Sequence, residues 1–255
     1  MNTITIKGIT IGENSPKIIV PIVAKTKEDI IDKARSFNKL KIHLVEWRVD
    51  FYEDVFNTED LLNTLKDLRA TIPNIPILFT FRTKKEGGEK EISMSEYTAL
   101  NKSAAQSGNV DLIDVEIFSG DDVVNENITN IHEEGVLVVG SNHDFLKTPD
   151  KDDIVSRLRK MQDMGSDILK IAVMPQTAED VLTLLAATNE MHNKYADRPI
   201  ITMSMGPLGV ISRLSGEVFG SSMTFGAVGT SSAPGQIPVD GLAATLEILH
   251  KSLCL

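Results

Sequence analysis

The chain is short of the features on which several large protein classes depend. Cysteine occurs once, as Cys254. An internal disulfide or a paired-cysteine zinc site is therefore excluded, which fits a reducing cytoplasm. No block of Lys or Arg stands out, and the formal net charge is -10. Binding to nucleic acid or to an anionic membrane surface is not expected. An anionic small molecule remains open, because the field inside a cleft can oppose the global sign. No apolar run is long enough to cross a bilayer. The start, MNTITIKGIT, lacks the apolar core of a secretory signal, so the expected location is cytoplasmic. There is no HExxH or Cys/His cluster to hold a metal. No GxGxxG follows the first apolar run, which argues against an open doubly wound sheet.

What is present is an alternation of short apolar runs and longer amphipathic stretches. The 255 residues, 42% hydrophobic and 24% charged, match the size and composition of one (β/α)8 barrel. The runs predict strands at Ile18–Ala24, His43–Asp50, Pro76–Arg82, Leu112–Phe118, Val136–Asn142, Ile168–Met174, Ile200–Met205 and Met223–Val228. Helical spacing of apolar residues occurs near 26–39, 58–70, 95–108, 121–134, 150–164, 177–195, 209–219 and 239–252. The expected fold is α/β, a (β/α)8 TIM barrel forming a single domain over 1–255. TITIKG and TIGENSPKI alternate around turn residues and predict a hairpin within 1–17 that closes the bottom of the barrel.

Barrel strands are buried on both faces, so charged residues within them mark functional candidates. In LVEWRVD, the two-residue period puts Glu46, Arg48 and Asp50 on one face. Arg82 ends LFTFR, and Glu86 follows beside Gly87 and Gly88. LIDVEIF carries Asp114 and Glu116, and His143 lies just past VLVVGSN. Lys170 stands within DILKIAV, the sharpest departure from an apolar strand. A desolvated amine is a nucleophile toward a carbonyl carbon, and histidine suits proton transfer near neutrality. The alternative for each is a buried ion pair, with Asp114 or Glu116 as partner for Lys170. Met203 and Met205 share a face of ITMSMG, as packing or as an apolar wall. Arg213 follows in GVISRLSG. The Gly/Ser/Pro-rich GTSSAPGQIP is an anion cradle, a lid or an ordinary connection.

Together EWRVD, LFTFRTKKEGGE, SNHDF, KIAVMPQT, ITMSMG, GVISRLSGEVFGS and SAPGQI resemble the type I 3-dehydroquinate dehydratases in order and spacing. The resemblance implies that Lys170 forms a Schiff base with 3-dehydroquinate. His143 would be the general acid/base, and Glu86 would orient it. Arg213 would hold the substrate carboxylate. Ser232 and Gln236 would close over the ligand, and Glu46, Arg48 and Arg82 would make the remaining polar contacts. Some relatives have serine where Pro21 stands here, so no hydroxyl contact is assigned there. The roles of Asp114 and Glu116 stay open. The implied reaction is syn loss of water to give 3-dehydroshikimate, in the shikimate route to aromatic amino acids. It would need neither metal nor organic cofactor, and the implied assembly is a homodimer.

Overall fold

A computed structural model of the chain describes residues 3–229 and 233–254. The first strands, β1 (Ile4–Ile6) and β2 (Ile9–Ile11), form an antiparallel hairpin. Its turn residues Lys7 and Gly8 have φ of 48° and 80°. Positive φ at both positions gives the turn a twist that matches its strands. Ile6 and Ile11 join the buried cluster that contains Ile19, Leu44, Leu78, Leu112 and Ile168. The hairpin thus plugs the N-terminal mouth, as the alternation predicts.

The barrel strands are β3 (Lys17–Ile22), β4 (Leu44–Arg48), β5 (Ile77–Thr80), β6 (Leu112–Glu116), β7 (Leu137–Asp144), β8 (Ile168–Val173), β9 (Ile200–Ser204) and β10 (Met223–Ala227). They are parallel, in the order β10-β3-β4-β5-β6-β7-β8-β9. The ring closes between β9 and β10 through a bridge from Ile200 to Ser221 rather than a full ladder. The Ser222 amide donates to the Ile200 carbonyl at 2.8 Å. The Ser221 hydroxyl accepts from the Thr202 amide at 3.0 Å, replacing a backbone acceptor at the seam. A two-residue strand, β11 (Ile237–Pro238), pairs with the end of β10.

Outside the ring lie α1 (Lys27–Phe37), α2 (Thr58–Thr71), α3 (Met94–Gln106), α4 (Asp121–Glu133), α5 (Lys151–Asp163), α6 (Ala178–Lys194), α7 (Val210–Leu214), α8 (Gly216–Phe219) and α9 (Val239–Leu253). Local sequence starts several of them. Thr26 and Asn57 cap α1 and α2, and Ser93–Glu96 and Thr177–Asp180 form capping boxes on α3 and α6. Such caps satisfy amides that have no partner within the helix. The stretch read as one helix over 209–219 is two short ones. The break falls at Ser215, and a Cβ on the following Gly216 would lie 2.5 Å from the Ser221 carbonyl oxygen, so the close approach there requires glycine.

The barrel interior is layered. Ile19, Leu44, Leu78, Leu112, Val139, Ile168, Ile201 and Met223 belong to the inner apolar cluster. Two residues further along the same strands stand Glu46, Thr80, Asp114, Ser141 and Lys170, all buried. A side chain two positions on faces the same way, so the interior is apolar below and polar toward the C-terminal end. That is the end at which barrel enzymes carry their chemistry. A separate, larger core lies between strands and helices and includes Trp47, Phe79, Phe81 and Tyr97.

Candidate active site

The polar layer is a network of ion pairs built across strands. The Lys170 amine on β8 is 3.2 Å from Asp114 Oδ2 on β6 and 3.5 Å from Glu46 Oε1 on β4. It also lies 4.8 Å from the centre of the Phe225 ring. Arg82 Nη1 donates to Glu116 and to the Ser141 hydroxyl, both at 3.0 Å. Its Nη2 is 2.8 Å from Asp114 Oδ2, an ion contact whose N–H bonds are not aligned for a hydrogen bond. Burial opposes the Arg82 charge, but Asp114, Glu116 and Glu86 outweigh it and hold its pKa raised. Glu116 is also taken by the amide and hydroxyl of Thr83, at 2.8 and 2.7 Å.

His143 is paired with Glu86 twice. Glu86 Oε2 lies 3.0 Å from the ring Nδ1 and accepts the His143 amide at 2.9 Å. Asn142 donates to the other oxygen at 3.1 Å. The carboxylate therefore fixes both the backbone and the ring of one residue. Burial, reinforced by the charge of Glu116, raises the Glu86 pKa to about 7. Burial and the cations Arg82, Lys170 and Arg48 lower that of His143. At neutral pH the imidazole is uncharged, with Nε2 free of the Glu86 contact. Gly87 follows with φ of 84°, a left-handed conformation that glycine adopts without strain. A Cβ there would come within 2.4 Å of the Phe145 ring. That ring lies nearly parallel to His143, at 19° and 6.3 Å between centroids.

These groups line a cavity of about 230 Å³ bounded by Glu46, Arg48, Arg82, Glu86, His143 and Lys170. Its apolar side is Ala172, Met203, Met205 and Phe225, and Phe145, Ala233, Pro234 and Gln236 also line it. Arg213 stands behind this wall. Its Nη1 is 3.8 Å from Met203 Sδ, and its Nη2 donates to the Pro234 carbonyl at 3.0 Å. Among the described residues its Nε has no hydrogen-bond partner, and no carboxylate pairs with it. Burial alone lowers its pKa to about 10, so it stays charged at neutral pH.

The structure brings Glu46, Arg48, Arg82, Glu86, His143, Lys170, Met203, Met205 and Gln236 to one cavity, with Arg213 adjoining. Ser232 lies outside the described residues. Some sequence expectations need correction. Asp50 is not on the strand. It sits in a 3-10 turn, Val49–Phe51, and accepts hydrogen bonds from Arg48 Nε and Nη2, each at 2.8 Å. Its oxygens also receive the Glu89 and Arg82 amides at 3.2 and 3.4 Å, which holds the loops together. β7 runs on to Asp144, two residues beyond the expected end at Asn142, so His143, past the apolar part of the strand, still pairs in the ladder with β8. Of the partners considered for Lys170, Asp114 is in contact, whereas Glu116 is engaged by Arg82 and Thr83. Phe145, Ala172 and Phe225 were not singled out from sequence. The two-residue period from Lys170 and from Met223 points to Ala172 and Phe225, but apolar residues in an apolar strand give no contrast.

The fold and site define a (β/α)8-barrel enzyme with its ionisable groups gathered at the C-terminal mouth. The model of the family described as "Type I 3-dehydroquinase" matches residues 18–253. A 3-dehydroquinate dehydratase of Clostridioides difficile is 56% identical over 250 residues, 98% of each chain. One from Escherichia coli is 55% identical over 252 residues, 99% of this chain and 100% of its own. A crystal structure of the type I enzyme from Clostridium difficile with covalently modified comenic acid superposes with a TM-score of 0.96. It is 55% identical and covers 98% of this chain and 99% of its own. The chain belongs to the type I 3-dehydroquinase family, a family of hydro-lyases.

Proposed function

We propose that this chain dehydrates 3-dehydroquinate to 3-dehydroshikimate through a Schiff base on Lys170. The observation that carries the reading is one small cavity lined by both an amine and a neutral imidazole, with a buried arginine beside it that has no carboxylate partner among the described residues. The amine condenses with the ketone at C3. The iminium is a stronger electron sink than the ketone, so the C2 proton becomes removable. His143 Nε2 takes that proton, and the enamine expels the C1 hydroxyl as water with a proton from the same imidazolium. One base on one face of the ring gives syn elimination. Hydrolysis of the imine releases the product. Glu86 holds the ring and favours the imidazolium when it forms.

Arg213 receives the substrate carboxylate, which replaces the Pro234 carbonyl as its acceptor. A planar fork holds a carboxylate by two bonds, which an ammonium does less specifically. Gln236 and Ser232 complete the closure, Glu46, Arg48 and Arg82 meet the ring hydroxyls, and Met203 and Met205 face the ring carbons. The covalently modified ligand in the Clostridium difficile relative supports a covalent step. The proposed setting is a single-domain, cytoplasmic homodimer in the shikimate route.

The test is borohydride trapping in the presence of 3-dehydroquinate, followed by intact-mass measurement and peptide mapping. The expected result is an adduct on Lys170, absent in Lys170→Ala, with enone absorbance growing before reductant is added. Enone formation by Lys170→Ala at the unsubstituted rate would overturn the mechanism. A class I aldolase-like barrel would instead release carbon–carbon cleavage products. A non-catalytic sugar-acid binder would give neither adduct nor enone.

A further inference from the structure

Asp114 is fully buried and lies outside the lining of the cavity. Its carboxylate nevertheless touches the reacting nitrogen, at 3.2 Å from Lys170 Nζ. It is fixed from two other sides. The Ser141 hydroxyl donates to Oδ1 at 2.6 Å, and Arg82 Nη2 is 2.8 Å from Oδ2. Glu46, the other carboxylate at the amine, is placed differently. It lies 3.5 Å from Lys170, lines the cavity, and among the described residues has only the Thr80 hydroxyl, at 3.0 Å, as another hydrogen-bond partner.

We propose that Asp114 is the positioning residue for Lys170, holding the nitrogen in place and remaining its anionic partner through the covalent stage, while Glu46 is the contact that is released. This role rests on the Schiff-base reading above. Condensation of an ammonium with a ketone gives a protonated imine and one water. A proton leaves the ammonium and the nitrogen lone pair adds to the carbonyl carbon. The former carbonyl oxygen collects two protons, one of them that first proton and the other from the nitrogen, and departs as water. Charge on the nitrogen is +1 before and after, but its N–H bonds fall from three to one. Two carboxylates can be served by an ammonium, and only one by the iminium. Asp114 is nearer and cannot turn away, because Ser141 and Arg82 hold it. Glu46 faces the cavity and is free to take a ring hydroxyl.

The electrostatics agree. Burial alone would push the Asp114 carboxyl up, yet Arg82, Lys170 and the Ser141 hydrogen bond outweigh it and keep it below the usual carboxylate range. Asp114 is thus a constant negative charge and a poor proton acceptor. The other ionisable groups lining the cavity with the amine are Glu46 and Arg48 from β4, Arg82 and Glu86 after β5 and His143 from β7. Asp114, unlike Glu46 and Glu86, is a carboxylate shielded from the cavity.

Borohydride trapping across pH, with steady-state kinetics, tests this on the full-length enzyme. In Asp114→Asn, kcat is expected to fall at least about tenfold with KM changed less than about threefold, since the anion opposite the iminium is lost. The pH of half-maximal adduct formation moves about one unit or more toward acid, because the ammonium has lost its fixed counter-charge. Glu46→Gln raises KM more than it lowers kcat. If Asp114→Asn does not fold, Ser141→Ala, which removes one of the anchors, shifts the midpoint the same way by a smaller step. A folded Asp114→Asn or Ser141→Ala enzyme with an unmoved midpoint would overturn the role, even if melting temperature fell. Failure of the unsubstituted enzyme to give a Lys170 adduct would instead overturn the Schiff-base reading, and the role of Asp114 with it.

Discussion

Glu86 Oε2 contacts both the amide and the ring Nδ1 of His143, at 2.9 and 3.0 Å. One oxygen atom thereby sets the backbone position, tautomer and orientation of a single imidazole. Glu86→Gln keeps the shape and removes the charge that favours the imidazolium. Its expected effect is a loss of about ten- to a hundredfold in kcat, part of the full worth of positioned acid–base catalysis. His143→Ala is expected to lose more while still giving some borohydride adduct. Steady-state rates and adduct yields for the two variants check this. Undiminished dehydration by His143→Ala would remove that residue from the mechanism.

The same pair makes stability depend on pH in opposite senses. The unfolded chain protonates His143 near about 6.5, whereas the folded protein does so only at lower pH. Stability from this group is complete above that value and is lost as pH falls through the depressed folded value. Glu86 is shifted upward, from 4.5 to about 7. Its contribution is present below 4.5 and lost as pH rises through about 7. Melting temperatures from pH 4 to 9 are expected to show a smaller acid fall in His143→Asn and a smaller alkaline fall in Glu86→Gln. Identical curves for the variants and the unsubstituted protein would contradict both shifts.

Arg213 is a buried cation without a carboxylate partner among the described residues. Burying a charge that has no ionic partner costs free energy, which an apolar side chain of similar length does not incur. Arg213→Met is therefore expected to melt higher than the unsubstituted protein in the absence of ligand. It should also raise KM by about thirtyfold or more, the worth of a lost charge-assisted carboxylate contact. Differential scanning fluorimetry with and without 3-dehydroquinate separates the two effects. A lower melting point without ligand would mean that its contacts to Met203 and Pro234 outweigh the cost of burial.

The Tyr97 hydroxyl of α3 donates to the Asp114 carbonyl at 3.1 Å and accepts from the Glu116 amide at 3.2 Å. It enters where the β5–β6 ladder has ended, after Phe79–Ile113, and satisfies the backbone between the two acidic residues of β6. Tyr97→Phe leaves those buried groups unpaired, at a cost of about 1–3 kcal/mol. Urea denaturation midpoints measure that loss. No loss would show that the splayed strands are held by the Arg82 and Thr83 contacts alone.

Much of this protein is legible along the chain because local rules act at short range. Apolar runs gave the strands, and their alternation with amphipathic stretches gave the barrel. Charged residues within strands gave Glu46, Lys170, Asp114 and Glu116. Asp50 escaped that logic, because its 3-10 turn is stabilised by amides from Arg82 and Glu89, far along the sequence. Phe225 and Ala172 escaped because an apolar residue in an apolar strand carries no contrast.

The sequence by itself determined the periods and the placement of charge, and with them the fold class and most of the residues that meet in the cavity. Only the tertiary structure decided which charge meets which: that Lys170 faces Asp114 and Glu46, that Arg82 shares Asp114 with it and takes Glu116, and that Arg213 has no carboxylate partner among the described residues. The reason is that ion pairing depends on distances of a few ångströms between strands far apart in sequence. Those distances are set by barrel register and closure, which no local pattern encodes.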